Sequence, residues 1–156
     1  MEEKPKKRLG ELLVEDGLLT REHLEEALAA QKKEGGMIGQ ILIQLGYLSE
    51  EDLISALGRQ LRLPYVSLAQ YSVNMEAVHL LGEEAARRYM AAVFDVDETR
   101  AYVATSDPLN SFLAGEIKEK LKLKPQIFLS TPTEILNIFD LTFSTNRKQP
   151  QVKKAG

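Results

Sequence analysis

The stretch RLGELLVEDGLLTREHLEEALAAQ, residues 8–31, occurs again in altered form as MIGQILIQLGYLSEEDLISALGRQ, residues 37–60. The two copies are offset by 29 residues, and nine of their 24 positions are identical. A fixed period of this kind indicates a repeated supersecondary unit. The identical pairs include Gly10/Gly39, Gly17/Gly46, Leu24/Leu53, Leu28/Leu57 and Gln31/Gln60.

Each copy predicts two short helices. Leucine and isoleucine recur at helical spacing, and Gly17 and Gly46 are in the position where a left-handed residue ends a helix. Thr20 and Ser49 then precede acidic residues, which is typical of a helix N-cap. The first 62 residues are therefore predicted to form four short helices built from a tandem repeat.

The pattern changes after Pro64. Strands are expected at 65–68, 91–96, 100–105 and 125–129, with a hairpin at the polar Asp-Glu-Thr turn. Helices are expected at 75–81, 83–89, 111–121 and from a Thr131 cap to about Phe143. The prediction is thus an α+β chain with a helical subdomain (1–62), a small α/β subdomain (63–144) and a disordered tail or linker (145–156).

Composition narrows the class of protein. The net charge of −3 gives no electrostatic case for binding DNA or RNA, and the absence of cysteine excludes thiol and disulfide chemistry. The charged N-terminus lacks the apolar segment of a signal peptide, and no apolar run approaches the roughly 18 residues of a membrane span. We expect a cytoplasmic protein without direct membrane insertion.

No motif supports catalysis or a metal site. His23 and His79 are in no metal-spaced cluster, and no Walker phosphate-binding loop occurs. The acidic residues Glu25, Glu26, Glu50 and Glu51 are typical of helix starts and solvated faces. We expect neither an enzyme nor a cofactor.

The repeated polar and glycine positions have two interpretations each. Gly10 and Gly39 fit either close helix packing or backbone approach to a ligand. Gln31 and Gln60 fit either ordinary helix ends or amides that read a nucleobase edge. Arg8 is either a solvated charge or a guanidinium that stacks on a base or binds a phosphate. Their recurrence at one offset favours a site for a ligand with two-fold symmetry.

The double motif, with its five-residue spacer, resembles the MshEN domain, the N-terminal part of type II secretion and type IV pilus assembly ATPases. Ser106-Asp107-Pro108 fits the α/β part of that family. The resemblance implies cyclic di-GMP (c-di-GMP) as the ligand and a regulatory, non-catalytic role. It also implies, as partners, a secretion or pilus ATPase or its inner-membrane platform protein.

Carried over position by position, the resemblance implies thirteen ligand-binding residues. They are Arg8, Leu9, Gly10, Leu24, Leu28, Gln31, Met37, Ile38, Gly39, Leu53, Leu57, Gln60 and Asp107.

One position departs from the family pattern. The family commonly has a basic residue at the start of the second copy, where this chain has Met37. Methionine packs against a purine but supplies no charge. This difference leaves open an alternative, a protein-docking module of the same fold that does not bind nucleotide.

Overall fold

A computed structural model of the chain describes residues 9–144. The predicted tail, 145–156, and Arg8 lie outside the described residues. Contacts divide the chain into two compact units, Met1–Arg62 and Leu63–Gly156. They are called the helical unit and the sheet unit below.

The helical unit consists of two pairs of helices. The first pair is α1 (Leu9–Glu15) and α2 (Arg21–Glu34), and the second is α3 (Ile38–Gln44) and α4 (Glu50–Leu61). This agrees with the four helices predicted from the sequence.

The turns inside the two pairs have matching geometry. Gly17 and Gly46 have φ angles of 80° and 84°. The N–H of the residue after each glycine donates to a carbonyl of the last helical turn, at 3.0 Å in both cases. This arrangement is the Schellman motif, which requires a left-handed residue that glycine adopts without strain.

The second helix of each pair begins at a side-chain cap. The Thr20 hydroxyl accepts from the N–H of His23 at 3.1 Å, and the Ser49 hydroxyl accepts from the N–H of Asp52 at 3.0 Å. Both caps have φ −89° and ψ 161°. The predicted N-caps are confirmed.

The core of the helical unit comes from the apolar faces of all four helices. Leu13 and Leu42 are fully buried at matching positions, as are Ala27 and Ala56. Because Ala27 and Ala56 have small side chains, the helix backbones can approach one another at these two positions.

In its described part, residues 63–144, the sheet unit contains three strands and four α-helices. In chain order these are α5 (Met75–Leu81), α6 (Glu83–Tyr89), β1 (Ala91–Val96), β2 (Arg100–Thr105), α7 (Leu113–Leu121), β3 (Lys124–Leu129) and α8 (Pro132–Phe139). Strands β1 and β2 form the predicted antiparallel hairpin, and β2 pairs in parallel with β3. Helix α7 makes the connection between the parallel strands.

The predicted strand at 65–68 is wrong in extent. Tyr65 makes a single parallel bridge to Leu129. The carbonyl of Ser67 then accepts the N–H of Tyr71 at 3.0 Å, because the chain turns there instead of continuing beside the sheet.

The last helix is also more complex than predicted. Thr131 caps α8 through a 3.2 Å bond from the N–H of Glu134, and Pro132 occupies the first turn, as expected. The helix then changes at Asp140 into a π-helical turn that runs to Ser144. Helix α7 begins at Leu113 rather than at 111.

Candidate ligand-binding site

The described candidate site residues of the helical unit, which leave out Arg8, differ in exposure. Leu28 and Met37 are exposed, whereas Gln31, Ile38 and Gln60 are partly exposed. The remaining six are buried, and they are Leu9, Gly10, Leu24, Gly39, Leu53 and Leu57. Leu28, Gln31, Met37 and Ile38 have surface that can meet a ligand without a rearrangement of the core. The side-chain oxygen of Gln60 is buried.

An open cavity of about 380 Å³ lies along the second half of α2. It is lined by Leu28, Ala29, Gln31 and Lys32. Leu28 is 42% exposed, so its side chain adds apolar surface to this cavity. The cavity therefore combines an apolar surface with an amide and an ammonium group.

The Gln31 side chain holds the connection between the two copies. Its Nε2 donates to the carbonyl of Gly36 at 3.0 Å, and the backbone carbonyl of Gln31 accepts the N–H of Gly35 at 2.7 Å. Both glycines have positive φ angles, 78° and 106°. A base edge could accept a bond from the second hydrogen of this amide nitrogen while its bond to the Gly36 carbonyl is kept.

The two repeated glycines support close packing. A Cβ atom on Gly10 would lie 2.5 Å from Cδ1 of Leu24, and one on Gly39 would lie 3.0 Å from Cδ2 of Leu53. Both leucines are buried. In this structure the packing interpretation of the glycines holds, and the leucines occupy the space that a β-carbon would need.

Met37 is the N-cap residue of α3 and is 37% exposed. Its side chain makes no capping hydrogen bond. A basic residue could therefore replace it without loss of a side-chain cap.

Asp107 belongs to the sheet unit, on the loop after β2. Its N–H donates to the Thr105 hydroxyl at 2.9 Å. Partial burial raises the pKa of the Asp107 carboxyl, and a hydrogen bond with Asn110 opposes that effect. The structure gives this residue a local role in the loop that follows β2.

Several contacts of the helical unit were not predicted. Arg59 forms a 2.7 Å ion pair with Asp16. Tyr47 donates to the Glu26 carboxylate and stacks on His23, with ring centroids 3.8 Å apart. None of these residues is identical to its counterpart in the other copy, so the repeat gave no signal for them.

Lys32 is a further residue that the sequence analysis missed. It lies just beyond the first copy, in the spacer, so the repeat could not mark it. Its position beside Gln31 in the α2 cavity places a cation where a phosphate could bind.

Within residues 9–144, no three His, Asp or Glu side chains are close enough to hold a metal ion. In the same range, no helix has the length and apolar character needed to cross a membrane.

These observations define an α+β protein with a four-helix unit that carries an open apolar and cationic cavity, joined to a three-stranded sheet unit. The chain belongs to the MshEN domain family, whose sequence profile matches residues 61–149. The match covers the sheet unit and leaves out the two repeat copies.

Solved structures support the same fold. A structure of MshE with c-di-GMP is 36% identical, with a TM-score of 0.72 over 88% of this chain and 100% of that one. The N-terminal domain of XpsE is 16% identical, with a TM-score of 0.68 over 89% of this chain and 97% of that one. The second likeness shows the fold alone.

Two curated relatives are type IV pilus assembly ATPases named PilB. The protein from Myxococcus xanthus is 31% identical over 71% of this chain, and the one from Thermus thermophilus is 36% identical over 83%. The chain spans 20% and 15% of the lengths of those two proteins. The resemblance stated from the motifs is thus confirmed at the level of family and fold.

Proposed function

We propose that this chain is a non-catalytic, c-di-GMP-binding regulatory domain of a type II secretion or type IV pilus ATPase system. The observation that carries the proposal is the likeness to MshE, whose solved structure contains c-di-GMP. That likeness extends over the whole of the MshE chain in that structure and over 88% of this chain, so it includes most of the helical unit. We place the domain in the cytoplasm, where ATP is available to ATPases of this kind.

The chemistry of the α2 cavity suits half of the ligand. C-di-GMP has two guanines and two phosphates related by two-fold symmetry. The exposed face of Leu28 can cover a purine, the amide of Gln31 can pair with a base edge, and Lys32 can approach a phosphate. Arg8 would add a planar guanidinium that stacks on a base.

The second copy would receive the other half of the ligand. Ile38 and Gln60 are partly exposed, and Met37 is exposed at the start of α3. The buried residues of the site, such as Gly10 and Leu24, would act indirectly by fixing the distance between helices. The assignment of Asp107 to the site stays a prediction from the family resemblance.

Regulation requires a difference in affinity between two arrangements of the protein. A ligand shifts a conformational equilibrium only as far as it binds one state more tightly. C-di-GMP would therefore stabilise one arrangement of the domain on a motor ATPase or on its inner-membrane platform protein.

The alternative is a docking module of the same fold without nucleotide binding. It is favoured by one observation, the neutral Met37 where the family commonly has a basic residue. Losing one hydrogen bond to a charged group typically costs about 1.5–3 kcal/mol, or one to two decades of affinity. A loss of this size weakens c-di-GMP binding without abolishing it, so we retain the c-di-GMP receptor as the proposed function.

Isothermal titration of the full chain with c-di-GMP tests the proposal. We expect saturable one-to-one binding, with strong weakening in Arg8→Ala and Gln31→Ala. The matched controls are Lys7→Ala, a neighbouring charge, and Gln44→Ala, an exposed glutamine at the end of α3. Both controls should bind as the wild type does.

The outcomes separate the two candidate functions. Absence of heat and of a thermal shift at high-micromolar c-di-GMP, in a folded protein, would contradict the receptor and favour the docking module. Equal weakening in the control variants would mean that the assigned residues are wrong. Hydrolysis of ATP or c-di-GMP would contradict the non-catalytic role.

A further inference from the structure

A second cavity, of about 400 Å³, lies in the sheet unit. Unlike the lining of the α2 cavity, half of its described lining residues are aromatic, and two of them are aspartates. The described residues that line it are Val66, Tyr71, Phe94, Asp95, Val96, Asp97, Tyr102 and Phe128. It is called the aromatic pocket below.

An irregularity in β1 builds this pocket. Val93 is paired with Val103, and Asp95 is paired with Tyr102, the next residue back along β2. Phe94 is therefore an extra residue in β1 that has no partner in β2. Such a β-bulge turns two consecutive side chains toward one face, whereas a regular strand alternates them. Phe94 and Asp95 thus both reach the pocket, which puts a carboxylate beside a ring.

The rings are arranged around Phe94, which is 2% exposed and forms the floor. Tyr71 meets it edge-on at 5.0 Å between centroids, and Phe128 does so at 5.4 Å. Tyr102 lies 6.5 Å from Phe94 and 6.4 Å from Phe128. Tyr71 is 41% exposed, so part of this aromatic surface is open to solvent.

The Asp95 carboxylate has acceptor capacity left for a ligand. Its Oδ2 accepts from the Tyr71 hydroxyl at 3.0 Å, and its Oδ1 accepts from the N–H of Val96 at 3.0 Å. A carboxylate offers about four acceptor sites, so a further donor can be accommodated.

The Asp97 carboxylate mainly shapes the hairpin turn. It accepts the N–H groups of Thr99 and Arg100 at 2.9 and 2.8 Å and the hydroxyl of Tyr102 at 2.7 Å. The bond from Tyr102, followed by the two backbone bonds, holds the pKa of this carboxyl below its ordinary value. Asp97 therefore contributes a negative charge at the pocket at neutral pH.

The described residues that line the pocket include no lysine or arginine. Arg100, on β2, donates through Nη1 to Gln126 at 2.8 Å, and its positive charge also acts on Asp97 and Tyr102. Two carboxylates and three partly exposed rings thus face the opening of the pocket. None of the described lining residues places a positive charge there. Aromatic faces attract cations, and the attraction grows when a carboxylate lies alongside.

We propose that the aromatic pocket binds the guanidinium of an arginine side chain presented by a partner protein. The planar group stacks on the exposed ring surface and donates to the Asp95 carboxylate, which a lysine ammonium matches less well. The opposite charges of the two aspartates and the arginine favour this occupant over an acidic or apolar one. This docking function is separate from nucleotide binding by the helical unit.

The test is an NMR titration of the ¹⁵N-labelled full chain with the peptide acetyl-Gly-Arg-Gly-amide. The comparison peptide contains citrulline, which has the shape of arginine and no charge. We expect saturable shifts at backbone amides of 94–102 with the arginine peptide, and at least about tenfold weaker binding with citrulline, because the charged hydrogen bond is lost.

Two variants with the same change of charge locate the effect. Asp95→Asn still accepts a bond from Tyr71 but should weaken the arginine peptide about tenfold. Glu98→Gln removes an exposed carboxylate of the same turn that does not line the pocket, and should leave binding unchanged.

Three results would overturn the proposal. These are equal shifts with the two peptides, no shift at 94–102 at low-millimolar peptide, and equal weakening by the two variants. A lysine peptide that binds more tightly than the arginine peptide would overturn the assignment to a guanidinium. Because c-di-GMP is absent from this titration, failure here is distinguishable from failure of the receptor proposal.

Discussion

Replacement of Gly10 by alanine tests how the helical unit is packed. The added β-carbon would lie 2.5 Å from Cδ1 of Leu24, 3.3 Å from Cδ2 and 3.4 Å from Cγ. The first distance is far inside van der Waals contact. Leu24 is only 3% exposed, so its methyl group must move within a closely packed core.

The expected cost follows from two opposing terms. Overpacking a well-packed core costs about 1–3 kcal/mol. Alanine has a higher helix propensity than glycine by about 1 kcal/mol, and less than this is gained at the second residue of the short helix α1. We expect Gly10→Ala to lower the free energy of unfolding of the helical unit by about 1–2 kcal/mol.

The repeat supplies a matched control. At Gly39 the distances from the added carbon to Leu53 are 3.0, 3.1 and 3.6 Å, so a smaller shift suffices. Gly39→Ala should change the free energy of unfolding by less than about 1 kcal/mol. Urea unfolding followed by circular dichroism measures both. A Gly10→Ala protein as stable as the wild type, or a larger loss at Gly39, would refute the packing argument.

Three further predictions concern single side chains. Met37→Arg should tighten c-di-GMP binding by about one to two decades in calorimetry, because it supplies a charged donor at an exposed cap; unchanged affinity would contradict a ligand at this position. Thr20→Ala and Ser49→Ala should each lower the free energy of unfolding by about 1 kcal/mol in urea, since each removes a capping bond, and a loss at only one would contradict their equivalence. The pKa of Asp97 is lowered, first by the hydrogen bond from Tyr102. The ionised carboxylate therefore stabilises the folded protein when the pH is above the carboxyl's ordinary pKa, and this stabilisation is lost as the pH falls through the lowered pKa. Asp97→Asn should therefore be less stable than the wild type at neutral pH and equal to it in strong acid, and a constant difference across the pH range would argue against this.

Local signals made the helical unit predictable from sequence. Gly17 and Gly46 ended their helices through the left-handed conformation, and Thr20 and Ser49 began the next ones with capping bonds. Both effects depend on residues within one turn of the chain. Because the repeat places the same signals at matching positions in both copies, each copy supports the interpretation of the other.

Elements that depend on distant partners were less predictable. The segment at 65–68 has strand-forming residues, but the Leu68 N–H binds the carboxylate of Glu134 in α8 instead of a neighbouring strand. The ion pair of Asp16 and Arg59 joins residues 43 positions apart and has no sequence pattern. The β-bulge at Phe94 likewise depends on how two strands align.

The candidate site shows the same division. Sequence patterns placed Gln31 and Leu28, which the structure brings together at the α2 cavity. They could not show that Gly10 and Leu24 are buried against each other, because burial is a property of the folded chain. The roles of all thirteen residues toward a ligand remain predictions.

The most direct test of the account is an NMR titration of the ¹⁵N-labelled full chain with c-di-GMP, because it reports both binding and its location. The account predicts saturable shifts in both copies of the repeat, including the amides of Gly10, Gln31, Gly39 and Gln60. Absence of shifts at millimolar ligand, or shifts confined to residues 63–144, would contradict a c-di-GMP receptor built on the repeat.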